Sequence, residues 1–362
     1  MPVSVSTILG KLKGHIGEAK ANARADQQQR QDAEKSPRSI ILTKNEVQGE
    51  WDAGRVLITT LGGTARPITA NDLAQFRHNI RIAQSNFKGN GITARQVIDL
   101  AASRPMPGVT PETDLDRARK QIRTVIPASS MNGDVRFITN AGPESNVTRH
   151  HVLIRFNAFS EAASKLISSE TRDQKSPKQV ANWLRKQKLA FDCDCGRHRY
   201  WFRYISTIGN FNAGRKEMGY PKIRNPDLKG VACKHVLRVM SEIESSGTVL
   251  NFLTRHLEKV RASADNKARH QLRQSEADKL QKGRVRDIKT SEQRAVERQK
   301  IKERDALRKA VNKAPRLTKK PAATRRIEAA LASGKLSKSD LDVLRRFGFT
   351  DKQIDAKLTS GE

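Results

Sequence analysis

Three cysteines occur in this chain, and all of them fall in one pattern: Cys193-x-Cys195 and, beyond an insert of 37 residues, Cys233-x-His235. Three thiolates and an imidazole are the donor set of a closed tetrahedral zinc site, in which protein fills every position and no water ligand remains for chemistry. Zn²⁺ is therefore the expected cofactor. Ordinary buried thiols would not confine every cysteine to two i, i+2 pairs. A nucleophilic Cys–His pair would need a third group to orient the imidazole, and no such motif surrounds Cys233 and His235. His198, beside the first pair, could replace one ligand, and His150 or His151 could approach from a neighbouring strand.

The flanking residues must place these donors. Alternation along an extended strand from Leu189 to Asp194 predicts Cys193 and Cys195 on one face. Val236, Leu237, Val239 and Met240 predict a helix that ends near Gly247, with Cys233 at its cap and His235 in its first turn. The helix then offers its positive end to the sulfurs. Arg197, Arg199 and Lys234 stand beside the ligands and offset the net negative charge of three thiolates on one divalent ion. The C-x-C…C-x-H order over about residues 189–245 resembles the SWIM zinc finger. The resemblance implies Cys193, Cys195, Cys233 and His235 as ligands on a strand hairpin followed by a helix. It also implies binding of nucleic acid or protein without catalysis. The insert is longer than the family's usual separation and has room for another element.

That insert holds every tyrosine of the chain, Tyr200, Tyr204 and Tyr220, with Trp201, Phe202 and Phe211. Arginines and lysines are interleaved among them. Aromatic rings among cations suit single-stranded nucleic acid, by stacking on bases and neutralising phosphates. The candidate contacts are Arg197, Arg199, Arg203, Tyr204, Phe211, Arg215, Lys216, Tyr220, Lys222 and Arg224. Tyr200, Trp201 and Phe202 equally suit packing around the metal. Residues 210–227, rich in Gly, Asn and Pro, read as a surface loop, because buried cations need partners. Gly209 to Lys216 has the glycine spacing of a phosphate loop, but Arg215 and Lys216 stand where lysine and a hydroxyl residue belong.

Net charge is +31, and 24 Lys and Arg against 9 Asp and Glu lie between Arg255 and Arg326. Such imbalance favours a polyanionic or acidic partner. Apolar residues make up 36% of the chain and aromatics 5%, so part of its length must lie outside any core. No apolar run reaches a membrane span, and Met1-Pro2-Val3-Ser4 opens no secretory signal. A thiolate site without a disulfide framework fits a reducing compartment.

The predicted fold class is α+β: a small antiparallel sheet with helices and a zinc-binding hairpin-helix unit, plus a long basic helix and a small C-terminal helical module. The predicted organisation runs from a polar helical arm (1–37) through a small helical or α+β unit (38–130) to an α+β domain carrying the finger (131–250). A basic exposed helix (251–320) and a three-helix module (321–362) follow. Within these, Ile40 to Leu42, Val56 to Ile58, Val135 to Thr139 and Val147 to Phe156 read as strands. Asn71 to Phe87, Ala94 to Ser103, Pro111 to Val125 and Leu253 to about Lys313, the last with Gly283 as a candidate break, read as helices. No catalytic constellation emerges, and the expected function is a non-enzymatic, zinc-stabilised structural or assembly protein. The whole chain looks similar to virion or DNA-associated proteins of tailed bacteriophages, which implies a virion or host-cytoplasm location and neighbouring virion subunits or nucleic acid as partners. The alternative is a free DNA- or RNA-binding zinc-finger protein.

Overall fold

The computed structural model describes residues 39–50, 57–87, 89–102, 112–143, 145–167, 176–263, 268–283, 287–313 and 322–360, together with Arg24 and Gln28. The arm expected over residues 1–37 lies outside them apart from those two. The chain forms two compact units, Met1–Gln293 and Arg294–Glu362.

The first unit opens with α1 (Lys44–Gln48) and a two-stranded ladder, β1 (Ile58–Thr59) with β2 (Arg66–Pro67). Three helices follow: α2 (Ala70–Asn86), α3 (Ala94–Ala102) and α4 (Asp114–Gln121). Local chemistry sets their starts. Thr69 caps α2 and Thr113 caps α4, each in a reciprocal box with an aspartate three residues on. Thr93 and Gln96 bond in the same manner ahead of α3. Two expectations fail here. Ile40 to Leu42 is no strand, since only Leu42 pairs, in a single bridge with Tyr220. Helix α4 is shorter than Pro111 to Val125, because Val125 already opens a strand.

That strand, β3 (Val125–Met131), turns through Asn132 (φ 48°) and Gly133 (φ 84°) into β4 (Asp134–Asn140). Both turn residues lie in the left-handed region, the two-residue geometry whose twist matches antiparallel strands. After β5 (Arg149–Phe156) come α5 (Phe159–Ile167), α6 (Pro177–Leu184) and β6 (Leu189–Cys193). A π-helical turn, His198–Phe202, runs straight into α7 (Arg203–Ile208). Then follow α8 (Lys234–Ser245), α9 (Gly247–Ala262), β7 (Arg269–Gln271), α10 (Gln274–Lys282) and α11 (Ser291–Lys313), which from Arg294 on belongs to the second unit. The strands make one five-stranded antiparallel sheet in the order β6-β5-β4-β3-β7. The α+β class holds, with a sheet that takes strands from both sides of the predicted 131–250 span.

The helix predicted from Leu253 to about Lys313 does break at Gly283, but it is three helices and a strand. Phe252, Leu253, His256, Leu257 and Val260 of α9 are buried, spaced as the inward face of an amphipathic helix that packs on α5 and α6. Residues 287–291 are tied to α3 and α4. Ile288 is wholly buried, its carbonyl accepts from Arg119, and Ser291 donates to Asp99. Helix α8 is central. It is buried on nearly every face and packs on α3 and α4 as well as on β5 and β6. The second unit gathers α12 (Ala322–Ala332), α13 (Lys338–Arg346) and α14 (Asp351–Ser360) around Ile327, Leu341 and Ile354. Gly334 and Gly348, both at positive φ, separate its helices as the sequence implies.

Asp72 joins a cap to an ion pair: it accepts from Thr69 N–H and from both terminal nitrogens of Arg66, at 2.7 and 2.8 Å. The guanidinium holds its carboxyl at about 2, below the ordinary 3.8, against the opposing effect of burial. Because the folded value is the lower one, this stability is present above about pH 4 and lost as pH falls towards 2. Arg66 is partly exposed, so Asp72→Asn is expected to cost about 1 kcal/mol at pH 7 in urea unfolding. Its stability should also vary less than wild type between pH 4 and 2, and equal stability at pH 7 would show the pair contributes nothing.

Candidate metal centre

Strand β6 carries Cys193 at its last position, and Cys195 lies past its end in the turn before the helical segment. The two sulfurs therefore do not share a strand face. Cys195 instead stands at a helix start: its Sγ accepts from His198 N–H at 3.3 Å. Cys233 is the N-cap of α8 and His235 sits in its first turn, as the spacing predicts. Two of three sulfurs thus face the N-terminal ends of helices, where partial positive charge favours a thiolate. No hairpin partner follows β6, because the chain turns directly into the π-helical segment.

The four donor atoms lie within 4.8 Å of one another and could hold a metal ion. His235 Nδ1 is 4.0 Å from Cys193 Sγ and 3.9 Å from Cys233 Sγ. All four residues are buried. Burial works against a Cys195 thiolate, but hydrogen bonds from Cys193, Cys233 and His235 outweigh it and hold its pKa well below the ordinary thiol value. Burial, followed by the neighbouring sulfurs, pushes Cys193 well above that value; burial does the same to Cys233. Burial also lowers His235, which keeps its imidazole neutral and able to donate a lone pair.

The three histidines weighed as alternative ligands stand outside the cluster. His150 packs its ring on His235, centroids 4.4 Å apart, while its Nδ1 meets Asp194 Oδ1 at 2.8 Å and its Nε2 meets Ser145 Oγ at 3.4 Å. His198 Nε2 lies 3.1 Å from Asp192 Oδ1. His151 is held in the β4–β5 ladder, its backbone N–H donating to Asp194. Asp192 and Asp194 thus brace the ligand turn, a role their flanking of Cys193 and Cys195 could have suggested. Arg203 donates to both oxygens of Asp192, at 3.0 and 3.2 Å. The chain matches no known protein family, curated protein or solved structure.

The insert threads through the core. Tyr220 is wholly buried between Phe76 (4.6 Å between centroids) and Tyr204 (5.4 Å), and Phe211 packs on Phe87 and Phe191. Lys222 is wholly buried too, its ammonium donating to the carbonyls of Ser39 and Ile58. Arg203, Tyr204, Phe211, Tyr220 and Lys222 consequently present neither ring nor cation at the surface, which corrects their reading as nucleic-acid contacts. Arg197 is half-buried, ion-paired to Asp114 at 3.4 Å and stacked 3.7 Å over Trp201. Arg199 is half-buried and donates to the Asp194 carbonyl. Arg215, Lys216 and Arg224 are exposed. Among the described aromatic residues, Phe347 alone is exposed.

If a metal ion clamps this cluster, chelation must uncover its thiols. Dithionitrobenzoate is expected to react slowly with the native chain and rapidly, at all three cysteines, after treatment with a strong chelator. Acid should release the ion as well, since every donor binds it only when deprotonated. Equal reactivity with and without chelator would show that the cluster holds no metal.

Proposed function

We propose that the chain is a non-enzymatic, zinc-stabilised structural or assembly protein that meets a polyanionic partner through exposed arginines and lysines. The buried Cys₃His cluster carries this reading. Zinc–ligand lengths of about 2.3 Å to sulfur and 2.0–2.1 Å to nitrogen imply donor separations of roughly 3.8 Å (S···S) and 3.5 Å (S···N) in a tetrahedron. The observed S···N separations of 3.9 and 4.0 Å are about 0.4–0.5 Å longer than that, and all four donors lie within 4.8 Å of one another, so a small inward shift would close them on an ion. Cys193, Cys195, Cys233 and His235 would fill all four positions, and the ion would supply cross-linking between β6 and α8. Three thiolates on Zn²⁺ leave one negative charge, which the two helix ends and half-buried Arg197 and Lys234 offset.

Ligand order and spacing support a SWIM-like finger whose insert is folded into its own core. The net charge of +31 and the exposed Arg215, Lys216 and Arg224 support contact with nucleic acid. With Phe202, Tyr204, Phe211 and Tyr220 buried and Tyr200 and Trp201 half-buried, that contact would be chiefly to phosphates. A tailed-bacteriophage virion, where packed subunits and genome meet, suits both features, and a free DNA- or RNA-binding protein uses the same surface. No described helix is long and apolar enough to cross a membrane.

Filter retention of DNA and RNA against salt tests the proposal. Binding is expected to fall log-linearly with salt, and the combined Arg215→Ala, Lys216→Ala, Arg224→Ala variant should lower the slope by as much as about 3. Lys222→Met should leave the slope unchanged while costing roughly 1–3 kcal/mol of stability, since it strands buried carbonyls. No retention even at low salt would remove nucleic acid from the partners.

A further inference from the structure

Strand β7 joins the sheet through three residue pairs, Ser129 with Gln271, Ser130 with His270 and Met131 with Arg269. His270 is the middle residue. Its ring lies 4.6 Å from that of Phe252, and one turn along α9 the ring of His256 stacks on Phe159 at 5.3 Å and 21°. Ser130, His256 and His270 are 2, 1 and 6% exposed. Among the described residues, neither ring nitrogen of either histidine, nor Ser130 Oγ, has a hydrogen-bond partner. Five buried polar atoms without a partner, where α9 meets β3 and β7, are far outside the ordinary accounting of a folded interior.

We infer that His256 and His270 form an acid-sensitive latch, which when neutral holds β7 and α10 against the sheet and when protonated releases them. A neutral imidazole packs on a phenyl ring at small cost. An imidazolium buried there loses its hydration and finds no acceptor. The charged groups acting on the pair do not rescue it. Lys259 and Arg255 of α9 carry the same sign, and Glu276 of α10 is occupied by Arg255 at 2.6 Å. Strand β3 presents Ser130 and α5 presents Phe159, neither of them titratable. Burial, aided by His270 and Lys259, lowers His256 to about 4 from 6.5, and burial lowers His270 in the same direction. With the closed-state value below the open-state value, closure is fully stable above about pH 6.5 and weakens as pH falls towards 4. At pH 5 His256 alone makes opening about thirty-fold more favourable. Release would bare the outer edge of β3, a row of unpaired backbone groups that can add another strand.

Hydrogen exchange of the full, metal-loaded chain at pH 7 and pH 5, corrected for intrinsic rates, tests this. Residues 125–131 and 268–282 are expected to lose more than about ten-fold of their protection at pH 5, while residues 149–156 and 233–245 keep theirs. H256L/H270L should hold protection at both pH values, and the single variant H270L, at the sheet's rim, gives the same comparison should the double variant not fold. Unchanged wild-type protection at pH 5 would overturn the inference, as would loss in the variants equal to wild type. Simultaneous loss at 233–245 would also overturn it, because the acid response would then belong to the metal donors.

Discussion

Three sulfurs and an imidazole pressed together out of reach of water set the terms for the rest of the first unit. One thiolate among them is stabilised by its neighbours' hydrogen bonds; a second is opposed by both burial and the first. A single divalent cation would remove that conflict, because it would turn mutual repulsion into shared coordination. The cluster is brought together by α8. Since α3 and α4 cover it on one side and β5 and β6 on the other, its N-terminal turn has one place to go, against the end of β6. Cys233 and His235 arrive at Cys193 and Cys195 by that packing.

The insert between the ligand pairs belongs to the same packing. A stretch dominated by turn residues would ordinarily lie on the surface, yet here Tyr220 and Phe211 fill space between α2, α7 and β6, and Leu42 pairs with the backbone of Tyr220. Lys222 reaches inward to carbonyls of the segments near β1. The Cys–His cluster and the aromatic cluster are contiguous within one core, so perturbing either bears on the other. Any electrostatic contact with a partner would fall to side chains that this core does not use.

Charge is distributed on a different principle. The basic excess after Arg255 suggested one solvated helix, but α9 hides an apolar face beneath its charges, and β7 returns the chain to the sheet. Helix α10 buries no side chain, and beyond it α11 runs uncovered: from Ala295 to Ala310 every side chain is exposed. Sign and density of charge say nothing of which face is inward; the spacing of Val249, Phe252, Leu253, His256, Leu257 and Val260 does.

Much was legible in the sequence where the signal is local. Three cysteines confined to i, i+2 pairs defined the donor set, capping residues marked the starts of α3 and α13, and alternation marked β4 and β5. Asn132-Gly133 is a local hairpin signal as well, but it went unread, and the helix drawn through to Val125 concealed β3. What the tertiary structure alone decided was partnership across long separations. His235 joins the sulfurs while His150 is diverted to Asp194, and Lys222 is buried because carbonyls 183 and 164 residues away accept its protons. Periodicity within a few residues determines which way a segment can turn, but the burial of a charge depends on what meets it, and that is settled only when distant segments pack.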